Sequence, residues 1–219
     1  MQYSGLTDFL IKHNGKNDHN NITHTRIGDA DSKIYGGSYA INSDELPTFY
    51  NLYHEHIFVK KQKEFLTEKQ IENGPILVDL DFRYSYDVNA RQHEPEHIRD
   101  IIEVYLDEIK EFFIMDSETN FQIFAMEKPH VNRVADKQIT KDGIHLIFGI
   151  QMDHTMQIML REKVLKKIGD ICDLPLTNTW ENVLDEGISK GTTNWQLYGS
   201  QKPGNEAYAL THIYNIGYN

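Results

Sequence analysis

The chain has 219 residues, a formal net charge of −11 and a single cysteine, Cys172. One cysteine excludes a disulfide framework and a cysteine-rich zinc module, so no zinc is expected. The acidic balance argues against a protein that coats nucleic acid, although a local basic groove can adjoin an acidic site. The N-terminus has no signal-peptide pattern and no stretch is apolar enough to span a bilayer. These features predict a soluble, intracellular protein without a membrane partner.

The first third of the chain predicts a small mixed lobe, because short apolar runs alternate with turn-forming residues. Gly74-Pro75 ends this region and precedes a strongly apolar run. The expected elements are a loop at 12–21, a strand at 34–41, a helix at 44–53, a strand at 56–59 and a helix at 67–73.

The remainder predicts an antiparallel sheet covered by helices. Its order of strand, helix, strand, strand, helix, strand is typical of an α+β fold. The clearest helix spans residues 96–113, where apolar residues recur every three or four positions. The other expected elements are strands at 76–82, 121–127 and 143–150, a helix capped by Asp153, and a terminal hairpin of strands 195–198 and 208–214.

The most informative motif is the pair Asp79 and Asp81 on the apolar strand 76–82. Successive strand side chains point to opposite faces, so both carboxylates project from one face. Two like charges held this close raise one pKa unless a cation lies between them. Carboxylate oxygens are hard ligands that suit Mg²⁺ or Mn²⁺. The pair therefore predicts a metal-dependent reaction on phosphate.

Three further features accompany this pair. His145 follows Gly143 on another apolar strand, where the small glycine leaves room for a ligand. A hydrogen-bonded histidine at a sheet edge and a donor to phosphate oxygens both fit this pattern. Asp185 follows an apolar pair. Ser200 and Lys202 lie in a glycine-containing turn that offers N–H groups, a hydroxyl and a cation, the groups that hold phosphates.

Taken in order, these motifs resemble those of the archaeo-eukaryotic primase superfamily. Its acidic-x-acidic strand, small-x-His strand and later single aspartate read here as Asp79-Leu80-Asp81, Gly143-Ile144-His145 and Leu184-Asp185. The resemblance covers about residues 23–214 and is closest to primases of large nucleocytoplasmic DNA viruses. It implies an α+β, primase-like catalytic core, with an N-terminal α/β lobe at 1–74 and an RRM-like antiparallel sheet in 75–219.

The resemblance also implies roles for particular residues. Two divalent ions, Mg²⁺ or Mn²⁺, would be held by Asp79, Asp81 and Asp185. The nucleotide-binding candidates are His145, Lys202, Ser200 and Arg26.

The implied reaction is transfer of a nucleotide from a nucleoside triphosphate to the 3′-hydroxyl of a primer on a single-stranded DNA template. In the viral relatives the primase is fused to a superfamily 3 helicase, so this chain is expected to be part of a longer primase–helicase. The expected location is the virus factory of the host cytoplasm, or the nucleus. No spacing in the sequence distinguishes ribonucleotide from deoxyribonucleotide substrates.

Two alternatives remain open at this point. A replication-initiator nuclease of the HUH type would use His54-Glu55-His56 and one of the twelve tyrosines, although the middle position is normally apolar. A non-catalytic nucleic-acid-binding module of a replication complex would carry a degenerate metal site. His93 and His97 have a zinc-like spacing, but Pro95 between them predicts a solvated loop instead.

Overall fold

The structure is a computed structural model that describes residues 3–16 and 21–218. The chain folds as two compact units, one of residues 1–70 and 194–207 and the other of residues 71–193 and 208–219. This division differs from the predicted one at residues 71–74 and at 194–207, and the second segment returns to the N-terminal unit. Part of the loop expected at 12–21, residues 17–20, lies outside the described residues.

The N-terminal unit contains a four-stranded antiparallel sheet and two helices. The strands are β1 (His24–Arg26), β2 (Gly37–Tyr39), β3 (Leu66–Glu68) and β8 (Trp195–Gln196), and the helices are α1 (Leu6–Lys12) and α2 (Leu46–His54). The strand order in the sheet is β2-β1-β3-β8. Phe9, Leu10 and Phe49 form the centre of its core and are fully buried.

Two expected elements of this unit are wrong. Residues expected to form a strand at 56–59 belong to a π-helical turn, Glu55–Val59, that continues α2 and buries Ile57 in the core. Residues expected to begin a helix at 67 form β3, which pairs with β1 on one side and β8 on the other. In both places tertiary packing overrides the local preference of the sequence.

The second unit contains a five-stranded antiparallel sheet. The strands are β4 (Asn73–Ser85), β5 (Asn120–Glu127), β6 (Asn132–Val134), β7 (Ile139–Asp153) and β9 (Ala209–Gly217). Their order is β4-β7-β5-β9, and β6 pairs with β7. β4 and β5 run in the same direction on either side of β7, which is the split βαβ arrangement expected from an RRM-like sheet. The predicted α+β class is confirmed.

Two long helices, α3 (Pro95–Ile109) and α4 (His154–Leu165), pack against this sheet. Asp153 caps α4 as predicted, because its side chain accepts a hydrogen bond from the Met156 N–H. The helix expected to reach residue 113 ends at Ile109, and residues 110–113 form turns. Further short helices are α5 (Ile168–Ile171), α6 (Trp180–Val183), α7 (Glu186–Ser189) and a 3₁₀ helix at Ala135–Lys137.

The predicted terminal hairpin is wrong. β8 pairs with β3 in the N-terminal unit, whereas β9 pairs with β5 in the second unit. Strands that are adjacent in the sequence pair only when both can bury their apolar side chains together. Here Tyr214 and Ile216 of β9 pack against the core of the second unit.

The alternation of β4 determines what each face of the sheet presents. Val78, Leu80 and Phe82 are buried in the core under the helices, while Asp79 and Asp81 are less buried and lie on the opposite face. In the described part of the chain, no helix combines the length and apolar character needed to cross a membrane.

Candidate active site

The paired aspartates of β4 lie beside the small-x-His motif of β7. Asp79 is opposite His145 in the antiparallel register, and Asp81 is opposite Gly143. The His145 Nε2 atom lies 3.5 Å from Asp79 Oδ1. The two motifs that are separated in sequence therefore form one site on the face of the sheet away from α3 and α4.

Two basic side chains adjoin Asp81. Its Oδ2 atom lies 3.2 Å from Lys141 Nζ and 3.4 Å from Arg83 Nη2. Sequence reasoning assigned no role to Lys141. The sequence does indicate that Lys141 belongs to the site, because Lys141, Gly143 and His145 alternate along one strand and so share a face.

The third aspartate is held directly against β4. The Asp185 N–H donates to the Asp79 carbonyl at 3.0 Å, and Leu184 forms a β-bridge with Leu80. Asp185 also caps α7, because its Oδ1 atom accepts from the Gly187 N–H at 2.7 Å. The structure therefore brings all three predicted aspartates to one place, although Asp185 is far from the others in sequence.

Arg161 of α4 holds the same peptide group from its other side. Its Nε and Nη2 atoms donate to the Leu184 carbonyl at 3.1 and 2.9 Å, and Nη2 also donates to the Glu181 carbonyl at 2.8 Å. The peptide between Leu184 and Asp185 is thus fixed through its C=O by Arg161 and through its N–H by Asp79. Sequence reasoning missed Arg161, since its position within a helix does not indicate its partner.

Asn178 and Thr177 pair with the outer edge of β4 near Asp81. The Asn178 side chain donates to the Asp81 carbonyl at 2.9 Å and accepts from the Arg83 N–H at 3.1 Å. The Thr177 N–H donates to the Arg83 carbonyl at 2.7 Å. Residues 177–185 therefore cover the edge of the strand that carries the aspartate pair, which would otherwise expose unpaired backbone groups.

Asp81 and Asp185 open into a cleft of about 530 Å³ within the second unit. Its lining contains five carboxylates and two guanidinium groups, so it favours cations. The lining residues are Asp81, Arg83, Arg161, Glu162, Glu181, Asn182, Asp185, Glu186 and Gly187.

The aspartates fit Mg²⁺ or Mn²⁺ by the chemistry of their donors, which are hard carboxylate oxygens. Among the described residues, however, no group of three or more His, Cys, Asp and Glu side chains is already arranged to hold a metal ion. Asp81 instead contacts Lys141, and one oxygen of Asp185 caps α7. The cap uses only Oδ1 of Asp185, which is compatible with metal binding through Oδ2.

Tyr208, immediately before β9, is a site residue that sequence reasoning missed. Its ring stacks on the His145 imidazole with 3.6 Å between centroids and 18° between planes. Burial raises the pKa of Tyr208, and the nearby Asp79 and Asp81 carboxylates raise it further, so the phenol stays neutral. The expectation that Gly143 leaves room for a ligand is wrong, because the Tyr208 hydroxyl lies over this glycine.

The other nucleotide-binding candidates lie in the N-terminal unit. Ser200 is 1% exposed, and its hydroxyl accepts from the Leu66 N–H and bonds to the Tyr53 hydroxyl. Arg26 is buried and donates to both carboxylate oxygens of Glu64, at 2.9 and 2.6 Å. Lys202 is exposed. These contacts give Ser200 and Arg26 structural functions, and a role of these three residues in nucleotide binding stays a prediction.

The expected solvated loop around His93 is also wrong. His93 is 2% exposed, and its Nε2 atom lies 2.7 Å from Glu127 Oε1. Arg91 completes this buried network, since it contacts Glu127 at 3.1 Å and Asp142 at 2.9 Å. The two histidines therefore have separate local roles: His93 contacts Glu127 in the core, and His97 lies in the first turn of α3.

The histidines invoked for the nuclease alternative lie on helical backbone. His54 ends α2 and His56 lies in the π-helical turn, both in the N-terminal unit and not on a strand. His56 Nε2 is 3.8 Å from Glu64 Oε2. This arrangement gives the nuclease alternative no support.

The fold and the site together define a primase-like α+β domain: an antiparallel split βαβ sheet whose adjacent strands β4 and β7 carry an acidic pair and a histidine, with a third aspartate hydrogen-bonded to β4. The family model described as the C962R protein N-terminal AEP domain matches residues 29–214. The chain therefore belongs to this family of archaeo-eukaryotic primase (AEP) domains, as its motifs predict.

Two viral proteins are similar to the chain. The "Putative helicase L207/L206" of Acanthamoeba polyphaga mimivirus is 31% identical over 97% of the chain, and the match covers 22% of that relative. The "Putative helicase 184R" of Invertebrate iridescent virus 6 is 26% identical over 95% of the chain and 23% of its own length. The chain thus spans less than a quarter of the curated relatives it matches.

Proposed function

We propose that this domain is the catalytic core of a DNA-dependent primase–polymerase that acts in viral DNA replication. It would transfer a nucleotide from an NTP or dNTP to a primer 3′-hydroxyl on a single-stranded DNA template. Membership of the AEP family supports the primase-type function. The observation that carries the proposal is the hydrogen bond from the Asp185 N–H to the Asp79 carbonyl, which holds the third aspartate against the strand that carries the acidic pair.

Asp79, Asp81 and Asp185 would hold two Mg²⁺ or Mn²⁺ ions. Such ions activate an attacking hydroxyl and stabilise the leaving pyrophosphate. The chain's own contribution is positioning and electrostatics, so no protein nucleophile is required.

His145 would act as a hydrogen-bond donor to the phosphates of the nucleotide. Its Nε2 edge faces Asp79 Oδ1, so a triphosphate beside that carboxylate would meet the same edge. Lys141 and Arg83 adjoin Asp81 and would supply positive charge to the phosphates once the carboxylate has other partners. Both side chains are partly exposed and can move without unfolding the sheet.

The domain would work within a longer polypeptide. Both viral relatives are named as helicases, and the chain matches less than a quarter of each. We propose that a helicase domain, of superfamily 3 as in the resembling viral primases, is fused to this domain and supplies the single-stranded template.

The test is incorporation of labelled NTPs and dNTPs on primed and unprimed single-stranded DNA with Mg²⁺ or Mn²⁺. We expect Asp79→Asn/Asp81→Asn to lower incorporation by about 10³-fold or more, as expected when the groups that stabilise developing charge are removed. The matched control is Glu103→Gln/Asp107→Asn, which removes two exposed charges from α3 and should retain full activity.

Three results would contradict the proposal. Metal-dependent synthesis that survives in the double variant would mean that the aspartates do not carry the reaction. A wild-type domain that binds single-stranded DNA but never incorporates nucleotides, with either metal, would favour the non-catalytic module. A covalent tyrosine–DNA adduct would instead favour the nuclease.

A further inference from the structure

One face of the His145 imidazole is covered by the ring of Tyr208, a residue outside the three sequence motifs. The Tyr208 and His145 rings are nearly parallel and in van der Waals contact, with centroids 3.6 Å apart. Parallel contact over a whole ring face restricts rotation of the imidazole about its side-chain bonds. The edge of the imidazole that stays directed at the acidic pair is Nε2, 3.5 Å from Asp79 Oδ1.

Gly143 makes room for this tyrosine. A Cβ atom at residue 143 would lie 2.7 Å from the Tyr208 hydroxyl and 2.9 Å from the Leu80 carbonyl, distances that real Cβ atoms do not adopt. The glycine of the small-x-His motif is thus explained by a neighbour inside the protein. The tyrosine ring can lie flat on His145 only because residue 143 has no side chain.

The other contacts of Tyr208 support a fixed ring. Lys128 at the end of β5 places its Nζ atom 5.1 Å from the ring centroid, a cation–π distance. Tyr208 immediately precedes β9, whose pairing with β5 fixes the backbone on the following side. Lys128 and the backbone of β9 therefore restrict the position of the ring, and Gly143 leaves space for its hydroxyl. The face of the ring stacks on His145.

We propose that Tyr208 is a positioning residue: it clamps the His145 imidazole so that its Nε2 edge faces the paired aspartates. The consequence for nucleotide binding rests on the proposed function of His145 as a phosphate donor. Tyr208 would not contact phosphate through its hydroxyl; it would act through the stacked ring. The ring, and not the hydroxyl, is therefore the group that matters.

The kinetic test is a double-mutant cycle in the nucleotide KM. Stacked aromatic pairs contribute enough that Tyr208→Leu should raise KM by about 3- to 10-fold, while Tyr208→Phe keeps the stack and should stay within about twofold of wild type. In a His145→Ala background, Tyr208→Leu should change KM by less than about twofold, because the imidazole that Tyr208 positions is absent. The matched control is Tyr86→Leu, whose ring contacts Arg133 and should leave KM unchanged.

A second measurement tests the stacking of Tyr208 on His145 without requiring catalytic activity. In NMR spectra of the folded domain, the His145 ring protons should carry the ring-current shift of a stacked aromatic side chain. Tyr208→Phe should preserve that shift and Tyr208→Leu should abolish it, with thermal unfolding used to confirm that each variant is folded. If the wild type lacks polymerase activity, the proposed function fails while this measurement still tests the clamp.

Two results would overturn the inference. If Tyr208→Leu raises KM by the same factor with and without His145, the tyrosine does not act through the histidine. If the His145 ring resonances are unchanged in a folded Tyr208→Leu variant, the imidazole is not positioned by the stack, whatever the activity of the domain.

Discussion

The substitution Arg161→Met tests how Asp185 is held beside Asp79. Arg161 is 5% exposed, and its guanidinium supplies two N–H groups to the Leu184 carbonyl and one to the Glu181 carbonyl. Methionine preserves the helix propensity of the position and much of its apolar volume. It removes every donor, so the effect reports on the hydrogen bonds.

The expected loss of stability follows from the burial of the carbonyl groups that accept hydrogen bonds from Arg161. Leu184 is 1% exposed, so its carbonyl would lose a charged donor without gaining water. Hydrogen bonds to charged groups contribute about 1.5–3 kcal/mol, and an unsatisfied buried acceptor costs about 1–3 kcal/mol. Glu181 is exposed and its carbonyl can be rehydrated. We therefore expect Arg161→Met to lower the free energy of unfolding by about 3 kcal/mol.

The assay is urea denaturation followed by tryptophan fluorescence, alongside nucleotide incorporation at a temperature where the variant is folded. Incorporation should fall by about 10²-fold, because small displacements of catalytic groups are costly. Arg161→Lys keeps the charge but not the planar fork and should be intermediate. The control Arg99→Met removes an exposed arginine that is paired with Glu96 one turn away, and should cost less than about 0.5 kcal/mol.

One outcome would refute this reasoning. If Arg161→Met unfolds within about 0.5 kcal/mol of wild type and incorporates nucleotides at the wild-type rate, the guanidinium does not hold the peptide before Asp185. A variant that loses stability but keeps full activity would separate the two roles, leaving Asp79 alone to position Asp185.

Two further predictions concern titratable groups of the second unit. A hydrogen bond with His93, followed by smaller contributions from Thr211 and Arg91, lowers the pKa of Glu127 from 4.5 to about 2. The charge of Glu127 therefore stabilises the fold above about pH 4.5, and this stabilisation is lost as the pH falls toward 2. Glu127→Gln should therefore be less stable than wild type by about 3 kcal/mol at pH 7 in chemical denaturation, with a gap that closes in acid; a gap independent of pH would contradict this. Burial raises the pKa of the Cys172 thiol to about 12, so a thiol reagent should label the folded protein only at the rate of unfolding, and rapid labelling under native conditions would contradict the buried position.

Features that repeat along one segment were predictable from the sequence. The alternation of strand 76–82 correctly placed Asp79 and Asp81 together on the face away from the core, and the helical period located α3 to within a few residues. Asp153 was recognisable as a helix cap. Each of these depends on residues that are close in sequence, where backbone geometry alone relates the side chains.

The motif order predicted the family, and the family match confirms it. The order of the motifs could not predict how the individual motif residues pack. Ser200 and Arg26 carry the polar groups expected of phosphate ligands, yet both are buried against partners distant in sequence, Leu66 and Glu64. The type of a residue indicates which groups its side chain could bind. The group that it does bind depends on which segments of the chain pack around it.

Partners from distant segments were decided only by the tertiary structure. β8 and β9 are neighbours in sequence but join different sheets, because each pairs where its apolar side chains can be buried. Tyr208 reaches His145, and Arg161 reaches the peptide before Asp185, across contacts that no local period encodes. The sequence alone determined which carboxylates share a strand face; packing between strands and helices determined what surrounds them, since that depends on burial summed over the whole chain.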